Sequence, residues 1–250
     1  MFIRISLDTL STRASNECSV ASGEEHAMLS RVLDSSRWFA RLKICEREQV
    51  LSSASIRRIF RGECLFSRGA FPEYWWGVAA GLLQMSSTTT NGQRIAFLGL
   101  PEGDWFGEGS ILRGEPLRYD VMALRDSCLV RIPAADFNWL HERSISFTHY
   151  LIQQLNNRLS QFIASQAVQR GSSIERRVAQ AIAALLHEKE YGTGLSLLDV
   201  SQEEIALLAG VSRQRCSQAL RHLREIKLIE TEYQRITVLD LHALRRYPET

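Results

Sequence analysis

Long apolar runs are missing from this sequence. The most hydrophobic stretches, such as residues 178–186 (VAQAIAALL), fall well short of the roughly 20 residues that span a bilayer, and no membrane partner is expected. Residues 1–17, MFIRISLDTLSTRASNE, lack the apolar centre of a secretory signal. Paired cysteine spacing is absent as well. Cys18, Cys45, Cys64, Cys128 and Cys216 form an odd set with no CxxC, unlike a disulfide framework or a zinc site, so a reducing cytoplasm is the expected compartment. Charge of one sign is not in excess: 30 Lys and Arg face 28 Asp and Glu, a net +2, and any polyanion-binding surface must be local. Residues 56–135 contain no histidine, which removes the clustered ligands of a metal-dependent enzyme built on a β-barrel. No metal site and no catalytic set is assigned.

What is present is 250 residues of ordinary globular composition, 45% hydrophobic and 23% charged. That suffices for one large domain or two of about 100 residues. Residues 1–34, rich in Ser, Thr and small polar residues, read as a loosely ordered extension. From Ser35 the text changes, and Trp38, Phe39, Leu42, Ile44 and Val50 among charges predict one or two short helices. Residues 56–135 are short apolar or alternating runs separated by glycines, with Asn91-Gly92 the clearest hairpin signal. This is the pattern of a sandwich or jelly roll.

From Phe147 to about Gln169 there is no Gly or Pro, and apolar residues recur at helical spacing. A long helix is predicted, with Leu151, Leu155, Leu159 and Phe162 as the candidate face for a parallel copy of itself. Packing down on its own β domain is the alternative for such a stripe. After Gly171 the pattern is helical again. The expected architecture is α+β, with an extension (1–34), a jelly-roll domain (35–146), a dimerisation helix (147–170) and a winged helix-turn-helix (171–250).

The last segment carries the strongest constellation. Ser201 followed by Glu204 fits a capping box, in which the hydroxyl accepts the amide three residues on and the carboxylate reaches back. The helix it opens ends at Gly210, and Ser212 can cap a second helix. There Cys216, Ala219, Leu220 and Leu223 fall on one buried stripe, leaving Gln214, Gln218 and Arg221 on the opposite face with Arg213 at its leading edge. Arg matches guanine O6/N7 and Gln matches adenine N6/N7 in the major groove. Residues 211–227 hold five basic groups against one acid, a local concentration inside a balanced domain. Arg215, Ser217 and the cap hydroxyls of Ser201 and Ser212 border this face, and Arg235 lies near the tip of an alternating two-stranded segment in the position of a wing. A lone basic helix would be a solvated surface; capped helix, glycine turn, second helix and wing in that order point to double-stranded DNA.

With RGECLFSRG (61–69), NGQR (91–94), GDWFGEGSILRGEPLRYD (103–120), Arg158-Leu159 and EEIALLAGVSRQRCSQALRHL (203–223) in view, residues 35–245 resemble the CRP/FNR family of bacterial transcription regulators. The resemblance implies a cyclic-nucleotide-binding-type jelly roll, a homodimer on an inverted repeat and, in many members, contact with RNA polymerase. It places Arg213, Gln214 and Gln218 where the family reads bases. Gln214 and Gln218 replace Glu and Arg of the cyclic-AMP-responsive member, so that member's operator does not carry over.

In the sensory pocket the resemblance implies Gly107-Glu108 opening a phosphate cassette, with Arg118 ten residues later on the phosphate of cyclic AMP or cyclic GMP. Four positions depart from that pattern: Tyr119 follows Arg118 in place of a small hydroxyl, Asp120 is next, and Phe162 and Ile163 replace a hydroxyl pair on the long helix. A structural Glu108–Arg118 ion pair and a different ligand in a more apolar pocket are the other two expectations. No iron–sulfur cluster or haem is expected, since neither the cysteines nor the histidines form a ligand set. A nucleotide sensor acting on protein partners would share the jelly roll but not the Arg/Gln helix.

Overall fold

The computed structural model describes residues 23, 25–88, 94–169, 173–186 and 196–248. Residues 25–35 form helix α1, followed by a 3-10 turn at Phe39–Arg41 and helix α2 (Ile44–Ser53). Eight strands come next: β1 (Ser55–Ile59), β2 (Cys64–Phe66), β3 (Tyr74–Ala80), β4 (Leu82–Thr88), β5 (Arg94–Pro101), β6 (Trp105–Phe106), β7 (Asp120–Ala123) and β8 (Ser127–Pro133), with short α3 (Glu108–Arg113) between β6 and β7. After α4 (Ala134–Arg143) runs the 25-residue α5 (Ile145–Gln169). The remainder is α6 (Ile174–Ala184), β9 (Ser196–Leu198), α7 (Gln202–Ala209), α8 (Arg213–Glu225), β10 (Ile229–Glu232), β11 (Arg235–Val238) and α9 (Leu241–Arg245).

The strands pair antiparallel into two four-stranded sheets, β1-β8-β3-β6 and β2-β7-β4-β5, which face each other as the jelly roll. Alternation along the strands places Ile59, Val78, Leu83, Leu100, Val121 and Leu129 between them. β4 and β5 pair as far as Thr88 and Arg94, while the Asn91-Gly92 turn lies outside the described residues.

A second core lies between the outer face of the first sheet and the helices. Trp38, Trp75, Trp105, Phe137 and Phe147 meet there with ring centroids 4.4–5.5 Å apart, mostly edge to face or tilted. Leu29 and Leu33 of α1 close this core, with Met28 and Val32 beside them. Residues 25–34 are thus an ordered helix and not the loose extension expected. Their apolar face spans only three turns, too short a window to stand out in polar surroundings.

Helix α5 divides its apolar residues between two faces. Phe147 and Leu151 are buried in the aromatic core, whereas Ile152, Leu155, Leu159, Phe162 and Ile163 are exposed. Leu151 therefore belongs to the chain's own core and not to the outer seam assigned from the sequence, and Ile152 takes its place. The cause is geometric: residues four apart advance by 40° about the axis, so the row 147, 151, 155, 159 winds from the core to solvent.

The third core fills the winged helix, from Val178 and Ile182 of α6 through Ile205, Cys216, Leu220 and Leu223 to Ile236 and Val238 of β11. Leu82 and Leu124 of the jelly roll belong to the same cluster, so the two domains share apolar packing. Among the described residues no helix is long and apolar enough to cross a membrane.

Trp75 touches four other rings at the centre of the second core. Trp75→Ala is expected to cost about 3–5 kcal/mol of folding stability in a urea titration.

Candidate functional site

Ser201 opens α7 as the sequence predicts: its Oγ accepts the Glu204 amide at 3.2 Å and its own N–H donates to Glu204 Oε2 at 2.7 Å. Gly210 ends the helix at φ +62°, a conformation that disfavours other residues. Arg177 of α6 then donates to the carbonyls of Ala209 and Gly210, both at 2.7 Å, holding the turn from behind. Nothing in the spacing of the sequence pointed to Arg177, because it acts across 33 residues.

Ser212 caps α8 by accepting the Arg215 amide at 3.4 Å. Cys216, Ala219, Leu220 and Leu223 are buried as one stripe, and Arg213, Gln214, Arg215, Gln218 and Arg221 are exposed, with Ser217 half-buried between the faces. The Arg/Gln face is thus turned to solvent, with Arg213 held by Glu203 of α7. In the wing, β10 and β11 pair in register from Ile229–Val238 to Glu232–Arg235, and β9 adds a third strand. Arg235 opens β11 beside the turn, near the tip, and forms an ion pair with Asp199 at 3.1 Å. The turn is Tyr233-Gln234, and Tyr233, 91% exposed, was missed by the sequence reading.

The jelly-roll pocket differs from the expected arrangement. Arg118 points to solvent and pairs with Glu115 at 2.8 Å, three residues away. Glu108 is buried and meets Arg158 of α5 at 3.1 Å, so the Glu108–Arg118 pair is not formed. Side chains alternate along the extended segment before β7: Leu117 and Tyr119 turn inward while Arg118 turns out. Asp120 also turns away, accepting the Arg68 amide at 2.8 Å and the Thr88 hydroxyl at 3.4 Å. Gly107, at φ +100°, starts α3 and so directs Glu108 into the roll.

Around the buried pair, Arg158 also donates to the Trp105 carbonyl, which Gln154 shares at 2.6 Å. Burial opposes the charge on Arg158, but Glu108, Asp104, Tyr119 and Tyr150 outweigh it and hold its pKa above the ordinary value. Burial, with Glu108 nearby, pushes the Tyr119 phenol up to about 12 and raises Tyr150 as well. Among the described residues, Glu108 Oε2 has no hydrogen-bond partner. Phe162 and Ile163 lie exposed on α5. A cavity of about 320 Å³ does open at the mouth of the roll, walled by Phe66, Tyr74, Trp76, Arg57 and Arg131; of the expected pocket residues only Gly107 reaches it.

Two turns of the jelly roll touch α7. Arg125 grips Glu204 with both ends of its guanidinium, at 2.6 and 2.7 Å, and Gln84 donates to the Leu207 carbonyl at 3.1 Å. Gly99 in β5 faces Leu185 and Leu208 so closely that an added Cβ would lie 2.8 Å from Leu185. Arg61 pairs with Glu203 at 3.0 Å, and Glu203 also pairs with Arg213 of α8.

A jelly roll joined through a long helix to a winged helix with an exposed Arg/Gln face defines a DNA-binding transcription regulator. Comparison with known proteins agrees. Residues 56–144 match the cyclic nucleotide-binding domain and residues 176–247 the Crp-like helix-turn-helix domain. The chain is 27% identical to the transcriptional regulator LdrP of Thermus thermophilus over 76% of this chain and 95% of that protein. It is 29% identical to the cyclic AMP receptor protein of the same species, over 68% of this chain and 77% of that one. A CRP-family transcriptional regulator of Thermus thermophilus with a solved structure shows 25% identity and a TM-score of 0.53, covering 76% of this chain and 95% of that one. FixK2 of Bradyrhizobium japonicum shares the fold at a TM-score of 0.63, with 17% identity over 77% of this chain and 96% of that chain. This chain belongs to the CRP/FNR family.

Arg158→Met, which strands a buried carboxylate, is expected to destabilise the protein by about 3–5 kcal/mol in the same titration. A pH series tests the buried acids. Burial pushes the Cys216 thiol from 9.0 up to about 11 and the Tyr119 phenol from 10.0 up to about 12. The unfolded chain releases these protons first, so stability is intact below about pH 9 and falls as pH rises toward 12. Tyr119→Phe should flatten the loss between about pH 10 and 12, measured by denaturant melts at each pH.

Proposed function

We propose that this chain acts in the cytoplasm as a homodimer that reads an inverted-repeat operator with α8 of each protomer, the jelly roll and α5 setting their spacing. Half-sites would lie about one helical turn, roughly 34 Å, apart. The observation that carries the reading is the capped, exposed Arg213–Gln214–Gln218–Arg221 face on a helix whose opposite side is buried. The dimer is supported by the exposed Ile152, Leu155, Leu159 and Phe162, whose spacings of three and four residues repeat every seven. At a promoter the dimer would have RNA polymerase as its neighbour. The units in this reading are the jelly roll to residue 146, the dimerisation helix and the winged helix from residue 171.

We read the jelly roll as coupled to α5 without a cyclic nucleotide. Arg158 already occupies Glu108, Tyr119 fills the space beside it, and the cassette arginine, Arg118, faces solvent. Cyclic AMP or cyclic GMP would have to displace Arg158 before Glu108 could accept a ribose hydroxyl. A ligand shifts such an equilibrium only by its differential affinity for the two states.

Selection of sites from a random duplex library by the ligand-free protein, repeated with cyclic AMP and with cyclic GMP, tests both statements. An inverted repeat recovered without nucleotide is expected; a motif recovered only with nucleotide would overturn the second. Leu159→Glu should give a monomer by light scattering that has lost tight operator binding, and a mutant that stayed dimeric would refute the seam.

A further inference from the structure

Two neighbouring glutamates at the start of α7 each hold an arginine from the jelly roll. Glu204 takes Arg125 and Glu203 takes Arg61. Those arginines come from two turns that are themselves tied together: the Arg61 amide donates to Asp126 at 2.9 Å, and the Gly62 amide to the Ala123 carbonyl at 2.8 Å. Arg61 is therefore presented from a braced turn, not from a free loop.

The second contact of Glu203 gives this arrangement a consequence for DNA. Its Oε2 receives Arg61 and, at the same oxygen, Arg213 at the leading edge of the recognition face. The hydrogen bonds from Arg213 and then Arg61 hold the Glu203 carboxyl below its usual range. One carboxylate between two guanidiniums leaves a net positive cluster, which does not repel phosphate.

We propose that Arg61, a residue of the jelly roll, positions Arg213 for base reading through the shared carboxylate of Glu203, so that the sensory domain helps set operator preference. The proposal rests on Arg213 being a base reader, as inferred above. The reason is entropic: a long guanidinium side chain reads a base edge well only when neighbours restrict its rotamers, and Glu203 is itself restricted by Arg61. Without Arg61, Glu203 swings with its own rotamers and Arg213 moves with it. Arg61 and Glu203 are positioning residues; Arg213 makes the base contact.

The test uses the full-length protein, the operator recovered by selection, and an operator changed at the one base whose preference Arg213→Ala abolishes. Affinity for each is measured by fluorescence anisotropy. Arg213→Ala is expected to remove about tenfold or more of the discrimination between them. Arg61→Ala should remove about two- to fivefold, the scale of an exposed ion pair, at an unchanged melting temperature. Arg61→Lys should restore part of the discrimination, and Glu203→Gln should lose it while raising affinity for both duplexes. If Arg213→Ala relaxes the preference and Arg61→Ala leaves it at the wild-type value, the positioning role is overturned while base reading stands. Equal weakening on both duplexes by Arg61→Ala would overturn it too, making Arg61 a phosphate contact only. If Arg213→Ala changes preference at no base, the base-reading assignment fails and the proposal with it.

Discussion

The carboxylate of Glu204 is the point on which the arrangement of the two domains depends. It closes the capping box at Ser201 and accepts both ends of the Arg125 guanidinium, all at 2.6–2.8 Å. The same group thus starts the first helix of the helix-turn-helix and fixes where that helix sits on the jelly roll. A largely buried ion pair of this kind adds little net stability, because desolvation offsets most of the attraction. Its value is directional: two fork-to-carboxylate hydrogen bonds allow one orientation, where apolar packing of Leu82 and Leu124 against α6 and α7 would allow several.

A second buried pair does the corresponding work at the other end of the jelly roll. Glu108, placed by the turn at Gly107, holds Arg158 on α5, and the Trp105 carbonyl takes the remaining hydrogen bonds from Arg158 and Gln154. Together with the aromatic core around Trp75 and Phe147, this pins α5 to the roll along its first turns. The outer face of the helix is exposed and apolar. A helix held on one side and exposed on the other would pass a displacement of the roll to a partner packed on the exposed side, as the proposed dimer requires.

Features set by neighbours along the chain were legible in the sequence. The capping box at Ser201, the glycine stop at 210, the Ser212 cap and the buried stripe of α8 all arise from patterns a few residues long, and each is found as expected. Alternation in the strands was similarly legible, since period two is enforced by the pleat itself. Other assignments were blurred by distance. The partner of Glu108 was sought ten residues away at Arg118, but the roll brings Arg158 to it from fifty residues on. Leu151 looked like part of an outer seam because a row of residues four apart resembles a straight stripe, although it turns by 40° at each step.

Local patterning was enough to set the element types of the jelly roll, α5 and the winged helix, though not of α1, and the family to which the chain belongs. Only the packed fold settled which charges pair: Glu108 with Arg158, Glu204 with Arg125, and Glu203 with both Arg61 and Arg213. Hydrophobic periodicity and caps are properties of a short segment and survive in the string of letters. An ion pair joins two segments that tertiary packing must bring to within about 4 Å, and any of several arginines could have filled each place.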